Sequence, residues 1–244
     1  MRENIMEKYK IMLQTFWEKN KHFMLMFYFV IYLAWFIFLE NHVTTHFHVI
    51  HMDIDDYIPF CEFFIVPYLL WFAYIAVVIV YMGFQDKKEY FHLCAFLFTG
   101  MTLFLIISTV FPNGHFLRPT EFERDNIFTQ LCAMLYSSDT ATNLFPSIHV
   151  YNSIGVHLAI ANSGKTRRNR PVRLASGILM VSIILATVFL KQHSMFDVLT
   201  AFFTASVVYL FEYIRSWEKA KKTIRFALMY LRRQTLKLKR RFVD

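Results

Sequence analysis

FLKQHSMFDVL, residues 189–199, interrupts two long apolar runs with a base, an imidazole and a carboxylate: Lys191, His193 and Asp197. Side chains three or four residues apart share a helix face, so a helix beginning here brings the Asp197 carboxylate to the His193 ring and fixes its tautomer. A second histidine, His149 in FPSIHV at 145–150, lies one apolar segment upstream. The rest of the chain can be read as a device for bringing the two histidines together.

Composition decides what kind of device this is. Of 244 residues, 56% are hydrophobic and 28 are Phe, and the mean hydropathy is +0.37. These values argue against a soluble domain. A membrane-spanning helix needs roughly 20 mostly apolar residues, and six runs fit: about 22–40, 57–83, 90–111, 145–163, 172–192 and 195–214. Pro67 predicts a kink in the second. The first run follows charged, helix-patterned sequence and no small-residue cleavage site succeeds it, so it is read as a retained span. Cys61, Cys94 and Cys132 are odd in number and imply no disulfide framework; they are read as small buried hydrophobes.

The basic residues orient the six spans. Twenty-three of the 26 Lys and Arg fall in residues 1–21, the FQDKKEY turn, the GKTRRNRPVR connector and the segment from Arg215 onward. All of these lie on one side of a six-span chain, and the positive-inside rule makes that side, with both termini, cytoplasmic. The +8 charge is therefore read as a membrane signature rather than a nucleic-acid footprint. Residues 1–21 and the tail 215–244 carry apolar stripes at helical spacing between their cations, which predicts an interfacial helix at each end. Arg118, Arg124 and Lys191 remain for the opposite face, in or beside the segments that carry the polar clusters. An anion would bind there.

Three segments of that face matter: Leu117-Arg118-Pro119, Pro146-Ser147-Ile148-His149, and His193 to Asp197. In order and in placement at helix ends they resemble the three signature motifs of the type-2 phosphatidic acid phosphatase superfamily, KxxxxxxRP, PSxH and SRxxxxxHxxxD. The resemblance covers roughly residues 110–215. It implies an all-helical membrane enzyme that cleaves or transfers a phosphoryl group or phospho-headgroup of a lipid. His193, oriented by Asp197, would attack phosphorus and form a phosphohistidine. His149 would protonate the leaving lipid oxygen and then act as base on the incoming water or alcohol. Arg118 would bind the phosphoryl group through charged hydrogen bonds, and Ser147 with amides at the start of the fourth span would complete the cradle. The scheme needs no metal and no cofactor. Its partner is a lipid phosphate or phospholipid in the membrane, with no nucleic acid, and the enzyme is expected in the plasma membrane with its site on the non-cytoplasmic face.

The departures from the motifs also bear on function. Phe111 stands where the first motif has Lys, Ala186-Thr187 where the third has Ser-Arg, and Ile148 where PSGH has Gly. Lys191 is a candidate phosphate-binding replacement, as are Arg124 and His115. An HxxxD motif without Ser-Arg is similar to the inositol phosphorylceramide and sphingomyelin synthase branch, so hydrolysis and headgroup transfer both remain open. The alternative is a non-catalytic membrane transporter or lipid-binding protein on the same bundle. His42, His46, His48 and His51 could suggest zinc, but nothing fixes their loop and a solvated segment is the plainer reading. Asn152, Ser153 and His157 give the fourth span a polar stripe, read as structural or supporting. The expectation is one all-α domain over residues 1–244, with its six-span bundle at 22–214 and motifs at 117–119, 146–149 and 193–197.

Overall fold

The computed structural model describes residues 2–43 and 45–211 and is helical over most of that length. Helix α1, Arg2–Asn20, leads through a 3-10 turn at Lys21–Phe27 into α2, Tyr28–His42. A short α3, Ile54–Tyr57, precedes a 3-10 turn at Glu62–Phe64 and α4, Ile65–Gln85. The remaining helices are α5, Lys87–Val110; α6, Ile127–Ser138; α7, Ile148–Asn162; α8, Arg170–Phe189; and α9, Met195–Phe211. The expected basic tail, 215–244, lies outside the described residues.

Among the described residues, four helical stretches are long and apolar enough to cross a membrane: Gln14–His42, Glu62–Gln85, Lys87–Val110 and Arg170–Phe189. These long apolar helices are consistent with an integral membrane protein. Helix α7, at 15 residues, and α9, within Met195–Phe211, are shorter. Pro67 falls in the first turn of α4, where its missing N–H costs little.

Local chemistry starts several of these helices. The Asp86 carboxylate accepts from the N–H groups of Lys88 and Glu89 and opens α5. Asn169 caps α8, with Pro171 at its first turn. Helix α7 packs on α8 and α5, α4 on α8, α5 and α7, and α2 on α5. The α5–α7 contact is close because a β-carbon at Gly100 would fall within the Tyr151 ring and one at Gly155 against Phe96. Glycine is thus needed there for space, and the Tyr151 hydroxyl donates to the Phe96 carbonyl at 2.8 Å across the same contact.

The segment 112–144 holds a strand and a helix. Strand β1, His48–Val49, pairs in parallel with β2, Asn113–Gly114. Helix α6 opens with a capping box: the Asn126 side chain accepts from Thr129 N–H and the Thr129 hydroxyl from Asn126 N–H. Its Phe128, Leu131, Cys132 and Leu135 pack on Ile65, Tyr68, Ala186 and Leu190, and the Tyr136 hydroxyl donates to Leu190 O at 2.7 Å. Helix α6 therefore covers the end of the bundle where α4 begins and α8 ends. The unit that holds this end runs to residue 205.

Candidate active site

Helix α8 stops at Phe189 because the chain turns left-handed at Lys191, whose φ is 52°. Glycine is usual at such a position, and a lysine there carries backbone strain. The turn lets both Gln192 N–H and His193 N–H donate to the Thr187 carbonyl, at 2.9 and 3.0 Å. Helix α9 then opens with a reciprocal cap. The Ser194 hydroxyl oxygen accepts from Phe196 N–H at 3.1 Å, and Asp197 Oδ2 accepts from Ser194 N–H at 3.0 Å. The same carboxylate oxygen lies 3.3 Å from His193 Nδ1. With the Nδ1 proton directed at Asp197, the lone pair of His193 sits on Nε2.

That nitrogen faces His149. The Nδ1 of His149 is 3.3 Å from His193 Nε2, so the second and third motifs meet at hydrogen-bond distance. Ser147 is fully buried and caps α7 through a bond from Val150 N–H at 3.4 Å, while its own N–H donates to the Asp197 carbonyl at 3.2 Å. Its hydroxyl thus holds the helix that carries His149. The His149 ring packs against Tyr68 and Trp71 of α4, with centroid separations of 4.7 and 4.3 Å. His193 is buried, and burial together with the Arg118 charge pushes its pKa down to about 3. It is neutral at physiological pH, the state a nitrogen nucleophile requires.

Arg118 reaches this end of the bundle through a buried bracket. The Asn113 side-chain oxygen accepts from Leu144 and Phe145 N–H at 2.8 and 2.9 Å, and His115 N–H donates to Ala141 O at 3.0 Å. These bonds fasten the first-motif segment to the chain just before α7. The Arg118 guanidinium donates to the carbonyls of Asp139 and Thr140 at 2.6 and 3.0 Å and to Gln192 Oε1 at 2.5 Å. It also stacks 4.7 Å from the Tyr136 ring. Arg118, His149, His193 and Asp197 are therefore brought into one neighbourhood.

The candidate replacement cations take other partners. Lys191 donates to the Asp55 carbonyl at 2.6 Å, and burial lowers its pKa. Arg124 pairs with Glu62 at 3.2 Å, alongside a bond from Asn126 to the same oxygen at 3.1 Å. His115 Nε2 lies 3.0 Å from the Gln192 carbonyl and its Nδ1 accepts from Leu117 N–H at 3.2 Å, which assigns the neutral tautomer. Desolvation drives its pKa down to about 4, so it adds no charge at neutral pH.

Asp55 is a residue whose role the sequence did not disclose. Its buried carboxylate accepts from Ser194 Oγ at 2.5 Å, Met195 N–H at 2.7 Å and Met52 N–H at 2.9 Å. It clasps the start of α9 from 139 residues away in sequence. Three of the four histidines at 42–51 take separate partners: His42 bonds to the Phe38 carbonyl at 2.7 Å, His48 stacks on Phe111 at 4.3 Å, and His51 pairs with Asp56 at 2.9 Å. His157 joins Ser176 at 3.0 Å, and Ser176 joins Tyr74 at 2.6 Å, beside a groove of about 960 Å³ that Arg170 and Arg173 also line. That chain of polar groups has no bond to the His193 cluster among those described.

Chemically, the cluster offers a neutral imidazole oriented by a carboxylate, a second imidazole aimed at its free nitrogen, and a guanidinium nearby. No family model, no curated protein and no solved structure matches this chain, so its chemistry is argued from these contacts and from the motif residues themselves.

Proposed function

We propose that this chain is an integral membrane lipid phosphatase or phosphotransferase that works through a phosphohistidine at His193. The observation that carries the reading is the file Asp197–His193–His149, with both nitrogen contacts at 3.3 Å. His193 Nε2 attacks phosphorus as the P–O bond to the lipid alcohol breaks, and the His149 Nδ1 proton passes to the leaving oxygen. Water or an acceptor alcohol then gives its proton to His149 and attacks the same phosphorus, breaking the P–N bond. Phosphorus must come between the two imidazoles for this, so substrate entry widens their contact. Asp197 stabilises the positive charge that His193 acquires, and Arg118 offsets the charge on the phosphoryl oxygens.

The reading includes a topology. Six spans place both termini in the cytoplasm, with interfacial helices at each end of the chain, and the site on the non-cytoplasmic face of the plasma membrane. Its support is the distribution of Lys and Arg. The resemblance to the type-2 phosphatidic acid phosphatase superfamily agrees in motif order and in the chemistry each residue type performs.

The test uses purified full-length protein with phosphatidic acid, a polyprenyl phosphate and phosphatidylinositol, with and without an alcohol acceptor. Wild type is expected to turn over one of them and to trap acid-labile phosphate, with His193→Ala losing both. Turnover by His193→Ala at the wild-type rate would sink the catalytic reading. Acceptor-dependent product without free phosphate selects transfer over hydrolysis.

A further inference from the structure

Gln192 lies between the third-motif histidine and the strained Lys191, and the residue is 1% exposed. Arg118 donates to its Oε1 at 2.5 Å, which fixes the amide orientation: a guanidinium has only donors, so the oxygen must face it and the NH2 group must point elsewhere. That NH2 group has no acceptor. The Nε of Arg118, also buried, has none either. Two residues hydrogen-bonded to each other thus each keep a buried donor without a partner. Burying such donors is costly unless an acceptor arrives, and Gln192 directly precedes His193 in the chain.

We propose that Gln192 is a substrate-binding residue whose side-chain amide, together with Arg118, binds the phosphoryl oxygens. This rests on reading the cluster as a phosphate site. The amide takes a place where a second cation would otherwise stand, and its neutrality has a consequence. Lys191 is engaged by Asp55, Arg124 by Glu62, and His115 is neutral, so among the described residues Arg118 is the cation brought to this cluster. One positive charge and one neutral donor suit a phosphate bearing a single negative charge better than a dianion, which would leave one charge uncompensated away from water.

Binding of dimethyl phosphate, a monoanion, and methyl phosphate, largely a dianion at pH 8, to the detergent-solubilised full chain can be followed by phosphorus NMR line broadening. Wild type is expected to prefer dimethyl phosphate. Gln192→Glu keeps an acceptor for Arg118 but loses the N–H donors, and should weaken dimethyl phosphate binding by about tenfold or more. Gln192→Ala should weaken it as well, and Gln192→Lys should turn the preference toward methyl phosphate. Thermal midpoints identify variants that remain folded. Wild-type affinity in folded Gln192→Ala and Gln192→Glu, or no binding of either probe to wild type, would overturn the assignment. Binding that follows the expected pattern in a protein that never forms a phosphoenzyme would support Gln192 as an anion ligand while removing the phosphohistidine reading.

Discussion

Arg118, the proposed anion ligand, has no carboxylate bonded directly to it. Its firm bonds go to carbonyls and an amide, while the Asp139 carboxylate stands off at 3.8 Å. Burial raises the Asp139 pKa to about 6, against the opposing pull of Arg118 and with help from Glu40. An unfolded Asp titrates near 3.9. The folded state therefore binds more protons between about pH 4 and 6, and the group favours folding at low pH, a contribution lost as pH rises through 6. Asp139→Asn removes the charge while keeping the backbone carbonyl that Arg118 uses. Its thermal midpoint in detergent should exceed that of wild type at pH 7.5, and the gap should be clearly smaller at pH 4.5, closing only below about pH 4, where the unfolded carboxyl is protonated as well. A gap equal at both pH values would show that the carboxylate is not the source.

The start of α9 is the element on which the site depends, and only part of its construction could be read in advance. HSMFD carries its own cap, because Ser194 and Asp197 satisfy each other's neighbouring donors and Asp197 is at the same time within reach of His193. All of that is local, and spacing exposes it. The clasp from Asp55 is not local: nothing in a one-dimensional pattern says which distant carboxylate will meet Ser194 and Met195. Helix α6 differs again, since its Asn126 and Thr129 capping pair and apolar positions were visible but lay inside a stretch dominated by charged and turn residues. If Asp55 positions α9, Asp55→Ala should lower kcat by about tenfold or more with KM changed little, because misplacing a reacting group by even 1 Å is costly. Asp55→Asn keeps an acceptor for Met195 N–H and should recover part of the loss. Unchanged kcat in a folded Asp55→Ala would reduce Asp55 to a loop anchor.

At the scale of the whole molecule, apolar runs located the long helices because a bilayer demands length and hydrophobicity from each span independently. Packing then adds what hydropathy lacks, such as the small residues Gly100 and Gly155 that admit Tyr151 and Phe96 between α5 and α7. The proposed topology gives the short α7 a meaning. Its 15 residues span about 22 Å, less than the roughly 30 Å hydrocarbon core. If its C-terminal end lies at the cytoplasmic boundary, His149 at its start sits below the opposite boundary, where a lipid phosphate can approach it. Sidedness is testable on a cysteine-free background. A membrane-impermeant maleimide should label Glu123→Cys in intact cells expressing the protein, and Arg168→Cys only after permeabilisation; both positions are exposed. The reverse pattern would put the histidines on the cytoplasmic face, where the positive-inside argument does not allow them, and the lipid substrate would then have to come from the inner leaflet.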